Sequence, residues 1–242
     1  MPNWCQQYGE VRGDNTELKK FVYAIRVERD AEWLALKEFQ RPYWDMNQLF
    51  PIPQELSDTI SGGYGVDENG NKKPEQIALE KQEESNIAKY GCKNWYDWAY
   101  ANWDTKWGAV DIIFGDEDFD EESTRITLDW QSAWSPCVGL IKNISQQFPA
   151  LLFGFHMTEE ANFFAGFMVI KNGAVLDEYE YDMSTMPTYP DNPTPEQEEQ
   201  WETAYSEWET AYSDWSNTML YKIAEGMDAA MTTVMISQSS WM

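Results

Sequence analysis

The sequence predicts an α+β protein in which an antiparallel sheet with packed helices is followed by one long C-terminal helix. Two observations lead to this fold class. Six short segments rich in β-branched and aromatic residues are interspersed with segments of helical period. A proline-rich stretch then precedes a helical segment built on a seven-residue repeat. With 242 residues, of which 43% are hydrophobic, we expect one core domain with decorations.

The chain opens with a strand and a helix. Residues Trp4 to Val11 alternate loosely between apolar and polar and end at Gly13, which indicates a strand and a turn. The polar residues at 14–16 are good N-caps, and apolar residues at helical spacing continue to about Arg29.

Residues 41–107 are predicted to form a helical insertion. Its first part contains several prolines and the loop Ser61-Gly62-Gly63-Tyr64-Gly65, which indicates irregular backbone. A polar helix from Glu75 to Tyr90 should end at Gly91, because glycine commonly terminates helices. An aromatic helix from Asn94 to Trp107 follows.

The second half of the core alternates hairpins with a helix. Its strand segments are Val110–Phe114, Arg125–Trp130, Leu151–Met157, Ala165–Lys171 and Val175–Tyr181. An acidic turn at 115–123 joins the first two, and Asn172-Gly173 joins the last two, because Asn-Gly favours a two-residue hairpin turn. A helix should start at Ser135-Pro136 and continue to about Phe148. The order β-α-(helical insertion)-β-β-α-β-β is that of a ferredoxin-like, split βαβ sheet with one extra strand.

The tail differs from the core at 1–182. Residues 183–195 form a Pro-rich linker, and residues 196–242 form an acidic helix. The segment Trp201-Glu-Thr-Ala-Tyr-Ser-Glu recurs as Trp208-Glu-Thr-Ala-Tyr-Ser-Asp and is followed by Trp215-Ser. On a helix that advances about 100° per residue, the rings of this repeat fall within roughly 80°. We call them the aromatic seam: Trp201, Tyr205, Trp208, Tyr212 and Trp215.

The net charge of −25 is concentrated after residue 110. Residues 1–110 contain 18 acidic and 13 basic side chains, whereas residues 111–242 contain 24 acidic and 4 basic ones. A field of this sign repels nucleic acid and anionic membranes and attracts basic partners. The alternative is that the charge only keeps the protein in solution.

Two runs of carboxylates and three tryptophans are the candidate partner-binding residues. The first run lies in the hairpin turn and consists of Asp116, Glu117, Asp118, Asp120, Glu121 and Glu122. The second run flanks the seam and includes Glu198, Glu202, Glu207, Glu209 and Asp214. The indoles of Trp201, Trp208 and Trp215 are expected to dock on a partner or on a second copy of the chain. The alternative is that the seam covers the protein's own sheet while the acids are solvated.

The hairpin turn begins like a calcium-binding loop, but the match fails. Position six is Glu121, where the loop requires glycine, and position twelve is Thr127, where it requires a bidentate glutamate. A second acidic segment that starts at Asp67 fails at the same two positions. We expect no metal and no cofactor.

No catalytic site is predicted. His156 is the only histidine and lies in an apolar strand, so a structural role is expected. The chain has no GxSxG, P-loop or GxGxxG motif. Three cysteines, Cys5, Cys92 and Cys137, without CxxC spacing and without a signal peptide, favour free thiols in a reducing cytoplasm. The longest apolar run, at 148–155, is too short to span a bilayer.

Several tryptophan-containing motifs in residues 1–182 resemble one known family. They are Met1-Pro2-Asn3-Trp4-Cys5, Asn94-Trp-Tyr-Asp-Trp-Ala-Tyr-Ala-Asn-Trp-Asp-Thr-Lys-Trp107, Ala133-Trp-Ser-Pro136, Phe148-Pro-Ala-Leu151 and Phe164-Ala-Gly-Phe167. Together they resemble the YubB-like ferredoxin-like domain family of bacteriophages and conjugative plasmids. The chain departs from it at Asp104 and Gly108, where the family usually has glycine and aspartate, and at Cys137, where it has proline. The resemblance implies a ferredoxin-like core and a mobile-element origin, and it supplies no activity.

These observations lead to one main hypothesis and two alternatives. The main hypothesis is an inhibitor in the bacterial host cytoplasm that mimics nucleic-acid phosphates and binds a basic, nucleic-acid-binding defence or processing protein. It would bind neither nucleic acid nor membrane directly. The first alternative is a homo-oligomer or adaptor that uses the aromatic seam. The second is a carboxylate- or metal-dependent enzyme.

Overall fold

Six strands form one antiparallel sheet in the computed structural model, which describes residues 2–37, 42–115, 119–120, 122–161 and 164–239. The strands are β1 (Trp4–Arg12), β2 (Val110–Phe114), β3 (Arg125–Ala133), β4 (Leu152–Glu159), β5 (Ala165–Lys171) and β6 (Ala174–Glu180). They lie side by side in the order β2-β3-β1-β4-β5-β6, and every neighbouring pair is antiparallel. The prediction of an antiparallel sheet is confirmed.

Helices fill the connections. They are α1 (Asn15–Ile25), α2 (Ala31–Ala35), α3 (Gln54–Ser57), α4 (Pro74–Tyr90), α5 (Trp95–Trp103), α6 (Val138–Gln147) and α7 (Pro195–Ser239), with short 3₁₀ helices at Asn47–Leu49 and Met183–Thr185. The side chains of α7 are described up to Thr218 and at Met227. Among the described residues, none of these helices combines the length and apolar character that a membrane crossing requires.

The elements β1-α1-β2-β3-α6-β4 form the ferredoxin-like core. Strands β1 and β2 run in the same direction, and β3 lies between them in the sheet, which is the split βαβ arrangement. Strands β5 and β6 extend the sheet beyond β4. In the turn between them, Asn172 and Gly173 have φ values of 47° and 77°, as a type I′ hairpin turn requires.

One face of the sheet, here called the first face, carries the main core. Buried apolar side chains of α1, α5 and α6 pack there against inward-facing residues of the strands, including Phe21, Ile141, Trp130 and Phe155. Alternation along each strand sends the intervening residues to the opposite side, here called the second face. The sequence of β4 shows this directly, because Phe153 belongs to the main core while Leu152 belongs to a separate cluster with α7.

A buried polar network fixes β1 and β3 to the loop before α6. The Gln7 amide nitrogen donates to Ser132 Oγ at 2.7 Å, and its carbonyl oxygen accepts from the Cys137 backbone N–H at 3.1 Å. The Trp130 indole N–H approaches Cys137 Sγ at 3.1 Å. Because these groups are buried, each depends on its partner in place of water.

The predicted end of the first helix is wrong. The helix ends at Ile25, four residues before Arg29, because the backbone beyond it pairs with another segment. The Asp45 N–H donates to the Ile25 carbonyl at 2.7 Å, and the Val27 N–H donates to the Tyr43 carbonyl at 3.1 Å. These bonds require extended backbone and stop the helix.

Two further helix boundaries differ from the predictions. The aromatic helix ends at Trp103, because Asp104 takes the left-handed conformation with φ of 63° and reverses the chain. The helix predicted to start at Ser135-Pro136 begins at Val138. Ser135 does not act as an N-cap, and its hydroxyl donates to the Asp104 carbonyl, so it connects two loops.

Candidate functional site

The aromatic seam of α7 packs on the second face of the protein's own sheet. Tyr181, just after β6, has its ring centroid 4.8 Å from Trp215 and 5.1 Å from Tyr212. Trp208 is only 8% exposed, and its indole N–H donates to Thr185 Oγ1 at 3.2 Å. The side chain that sequence analysis placed at the centre of a docking seam is therefore used inside the chain.

The other two tryptophans of the seam are half-buried against the same molecule. Trp201 stacks edge-on against Tyr189 of the linker at 4.8 Å, and its indole N–H donates to the Pro187 carbonyl. Trp215 lies 6.0 Å from the ring of His156 on β4. Successive seam rings also contact one another at 4.9 to 5.8 Å from Trp201 to Trp215. This continuous ring contact holds the first half of α7 in a fixed orientation.

The part of α7 that faces away from the sheet carries exposed carboxylates, on two ridges that flank the aromatic seam and at Glu199 between them. Every acidic residue of this segment is exposed: Glu196, Glu198, Glu199, Glu202, Glu207, Glu209 and Asp214. No lysine or arginine occurs between Pro195 and Lys222. In the part of the chain that the structure describes, none of these carboxylates forms an ion pair. We call these seven residues the α7 acidic row.

The acids of the first half of the chain differ, because several are paired with nearby cations. The pairs are Glu10 with Arg12, Glu17 with Lys20, Glu55 with Lys89 and Glu80 with Lys72. At Glu55, hydrogen bonds from Lys89 and Tyr90 lower the carboxyl pKa to about 2. Charge in the first half is thus partly neutralised within the protein, whereas among the described residues no cation pairs with the α7 acidic row.

Strand β6 adds carboxylates that sequence analysis did not assign to the site. Asp177, Glu178 and Glu180 are exposed on this edge strand. The rings of Tyr179 and Tyr181 contact Trp215 of α7 on the second face of the sheet. Because side chains alternate along a strand, Asp177 lies on the same face as these two rings, and Glu178 and Glu180 lie on the first face. The alternation of acids and tyrosines at 177–182 was visible in the sequence, but only the sheet order shows that this strand is an edge beside α7.

The acidic hairpin turn lies elsewhere. Asp116, Glu117, Asp118 and Glu121 lie outside the described residues. The Asp120 carboxylate accepts bonds from the Glu122 N–H and the Ser123 hydroxyl, each at 2.9 Å, and these bonds lower its pKa. The Asn15 side chain donates to the Asp120 carbonyl at 2.7 Å and ties the turn to the start of α1.

The hairpin turn and the α7 acidic row do not form one surface. The turn joins β2 and β3, and β2 is the edge strand opposite β6. Five strand spacings of about 4.8 Å separate the two edges, a distance of roughly 24 Å. A partner that covers the α7 acidic row therefore need not reach the turn.

No chemical centre accompanies the acidic surface in the described ranges. No three His, Cys, Asp or Glu side chains converge there as a metal ion requires. His156 is half-buried beneath α7, 3.5 Å from Ser216 Oγ, and burial lowers its pKa. Burial raises the pKa of the Cys5 and Cys137 thiols to about 12, which leaves them protonated at neutral pH.

Among the comparisons with known proteins, a family model supports the ferredoxin-like fold. No curated protein matches the chain. Among solved structures, the crystal structure of a protein api92 from Yersinia pseudotuberculosis is similar at 14% sequence identity and a TM-score of 0.42, over 79% of this chain and 100% of that chain. A family model described as the ferredoxin-like domain in Api92-like protein matches residues 102–206, from the end of α5 into the first turns of α7. The chain thus contains a ferredoxin-like domain similar to that of Api92-like proteins.

Proposed function

We propose that this protein is an acidic inhibitor from a bacteriophage or conjugative plasmid that occupies the cationic groove of a host nucleic-acid-binding protein. The partner would belong to a defence or nucleic-acid-processing system in the bacterial cytoplasm. The contact surface is the α7 acidic row with the adjoining edge of β6. One observation carries the proposal: seven exposed carboxylates on one helix form no ion pair in the described parts of the chain.

The spacing of the row supports phosphate mimicry. From Glu196 to Asp214 the helix rises about 27 Å, at about 1.5 Å per residue. Counted along the helix axis, its seven carboxylates give roughly one negative charge per 4 Å, divided between two ridges of the helix, compared with one per about 3.4 Å along a nucleic-acid strand. Lysine and arginine side chains that bind phosphates would find acceptors at a similar density, and arginine can pair with each carboxylate through two hydrogen bonds.

The packing of α7 supports the same proposal. Contacts of the aromatic seam with Tyr181 and with one another fix the helix before any partner arrives. A surface that is already ordered loses little conformational entropy on binding, so more of the electrostatic attraction remains as affinity. The resemblance of the tryptophan motifs to YubB-like proteins is the support for the proposed mobile-element origin.

The first alternative, an adaptor that docks through the seam, has less support. Trp208 is buried in its own protein, so docking through it would require α7 to leave the sheet. The second alternative, an enzyme, has no supporting arrangement of groups in the described residues. The α7 acidic row therefore favours an inhibitor that binds through charge.

The test is capture of bacterial proteins from lysate by the full chain, with salt and DNA as variables. The test variant carries Glu202→Lys and Glu209→Lys, and the matched control carries Asp120→Lys and Glu122→Lys at the opposite edge of the sheet. We expect a nucleic-acid-binding protein to be retained at low salt, released by salt and by excess duplex DNA, and lost in the α7 variant alone. Retention that is insensitive to salt and DNA, or loss in the control variant only, would refute phosphate mimicry on α7.

A further inference from the structure

A groove of about 500 Å³ lies beside β2, the edge strand farthest from β6. Its opposite wall is the segment 42–47, and among the described residues none from β3 lines it. This segment does not pair with β2, because Trp44 forms its antiparallel bridge with Arg26. The groove therefore separates two extended segments that are not bonded to each other.

The backbone of β2 has hydrogen-bonding groups on the edge that faces away from β3. The Gly115 N–H donates to the Thr127 carbonyl at 3.0 Å, and Ile113 is paired with β3 in the same register. In an antiparallel pair, hydrogen-bonded positions alternate with positions whose backbone groups point away from the partner strand. Ile112 and Phe114 are such positions, so their N–H and C=O groups lie on the free edge.

The opposite wall presents a backbone edge of the same kind. The Val27 N–H donates to the Tyr43 carbonyl at 3.1 Å, and the Asp45 N–H donates to the Ile25 carbonyl at 2.7 Å. Trp44 lies between these two bonds, so its own backbone groups point the other way. The segment that contains Ile25 and Val27 does not line the groove, which therefore lies on the side toward which Trp44 points.

One end of the groove shows which chemical group these edges bind. The Asn47 side-chain amide accepts from the Ala109 N–H at 2.9 Å and donates to the Ala109 carbonyl at 2.8 Å. It thus pairs with this backbone as a peptide group of a neighbouring strand would. Among the described residues, no hydrogen bond occupies the outward backbone groups of Ile112, Phe114 or Trp44. A peptide backbone in the open part of the groove would continue the pairing that Asn47 begins.

The groove is also acidic. Asp45 and Asp111 line it, and no lysine or arginine does so among the described residues. The Asp45 carboxylate accepts from the Asn47 N–H at 2.8 Å, whereas Asp111 is exposed at the β-bulge of β2, with φ of 51°. Arg29 lies nearby, 5.0 Å from the Tyr43 ring centroid, so the two carboxylates still leave an excess negative charge. This charge favours lysine or arginine on a bound peptide.

We infer that this groove takes an extended segment of the basic partner, which adds as a strand to β2 and places a basic side chain near Asp111. Main-chain hydrogen bonds supply affinity in this mode of recognition, and side-chain contacts supply selectivity. The inference rests on the proposed function only in that the partner is basic. The groove lies at the edge of the sheet opposite the α7 acidic row, so the partner would be held at two separate places.

The test uses two octapeptides of alternating threonine and arginine, one unmodified and one N-methylated at every threonine. Methylation removes backbone donors and keeps the charge, so binding through charge alone would be equal for the two peptides. Because both walls of the groove pair with the peptide, no register avoids the methyl groups. Isothermal titration calorimetry with the full chain should show about tenfold tighter binding of the unmodified peptide, as expected for about two backbone hydrogen bonds.

Hydrogen exchange followed by NMR locates the bound peptide. At saturation, exchange of the Phe114 and Trp44 amides should slow at least about tenfold, whereas the Ile113 amide, already bonded to β3, should not change. Asp111→Asn should weaken the unmodified peptide about threefold and keep the melting temperature, because asparagine also adopts positive φ. The matched control Asp177→Asn, on the opposite edge strand β6, should have no effect.

Equal affinities of the two peptides would overturn the inference, and so would protection of β6 amides in place of those of β2. Failure of the proposed function would appear separately. The α7 variant with Glu202→Lys and Glu209→Lys should weaken both peptides equally and leave their ratio unchanged. If it weakens neither peptide while the ratio persists, the α7 acidic row is refuted and strand addition to β2 stands.

Discussion

The burial of Trp208 on the inner side of α7 can be tested by comparing it with Trp201, its equivalent in the preceding repeat. Trp208→Ala removes a side chain that is 8% exposed and leaves the Thr185 hydroxyl without its indole donor. A buried tryptophan removes roughly 200 Å² from water, which at about 25 cal/mol per Å² gives an upper limit near 5 kcal/mol. Because unfolded chains already bury some of this area, we expect a loss of about 3–4 kcal/mol in the free energy of unfolding.

Trp201→Ala is the matched control. Trp201 occupies the same place in the repeat, but it packs on Tyr189 of the linker and is less buried than Trp208. It is half-buried, so the loss should be about 1–2 kcal/mol. Urea unfolding followed by circular dichroism gives both values, and hydrogen exchange in β4 to β6 shows whether the second face becomes exposed. Equal losses below about 0.5 kcal/mol would refute packing of the seam on the sheet and restore it as a free docking surface.

Two further predictions concern buried polar groups. Gln7→Ala should lower the free energy of unfolding by about 2–4 kcal/mol, because it opens a cavity and leaves the Cys137 N–H unsatisfied. The control Gln6→Ala, at an exposed neighbouring position, should change it by less than about 0.5 kcal/mol. Similar losses for the two variants in urea unfolding would contradict the buried network. Burial lowers the pKa of His156 in the folded protein, so as the pH falls the unfolded chain binds a proton at this residue before the folded protein does. The free energy of unfolding should therefore fall as the pH drops through about 6.5, by at most about 1.4 kcal/mol per pH unit. Wild type and His156→Gln should therefore diverge in urea unfolding between pH 7 and 5.5, and parallel curves would contradict a buried neutral histidine.

The order of elements was predictable because it depends on local patterns. Alternation in the strands, the Asn172-Gly173 turn and the glycine that ends α4 each act over a few residues, and the structure confirms them. Gly91 has φ of 75°, a conformation that glycine adopts without the steric cost other residues carry. Pairing of these strands then gives the ferredoxin-like strand order in the sheet.

Helix ends were less predictable, because distant residues decide them. The first helix stops at Ile25 through bonds to a segment about twenty residues further on, and no signal at Arg29 or before it indicates this. The helix after Cys137 starts late because Ser135 bonds to the carbonyl of Asp104. In each case a tertiary hydrogen bond overrides a favourable local cap or propensity.

The sequence by itself determined that carboxylates are concentrated in the second half of the chain, that a seven-residue aromatic repeat forms one stripe of a helix, and that the core is an antiparallel α+β sheet. Only the tertiary structure decided how these features are used. It packs the seam on the second face of the sheet, because large aromatic surfaces are stabilised by burial and the apolar residues of β4 and β5 lie there. It therefore leaves the carboxylates of α7 exposed beside the β6 edge, five strand spacings from the edge that carries the acidic turn, although the two acidic runs look equivalent in the linear sequence.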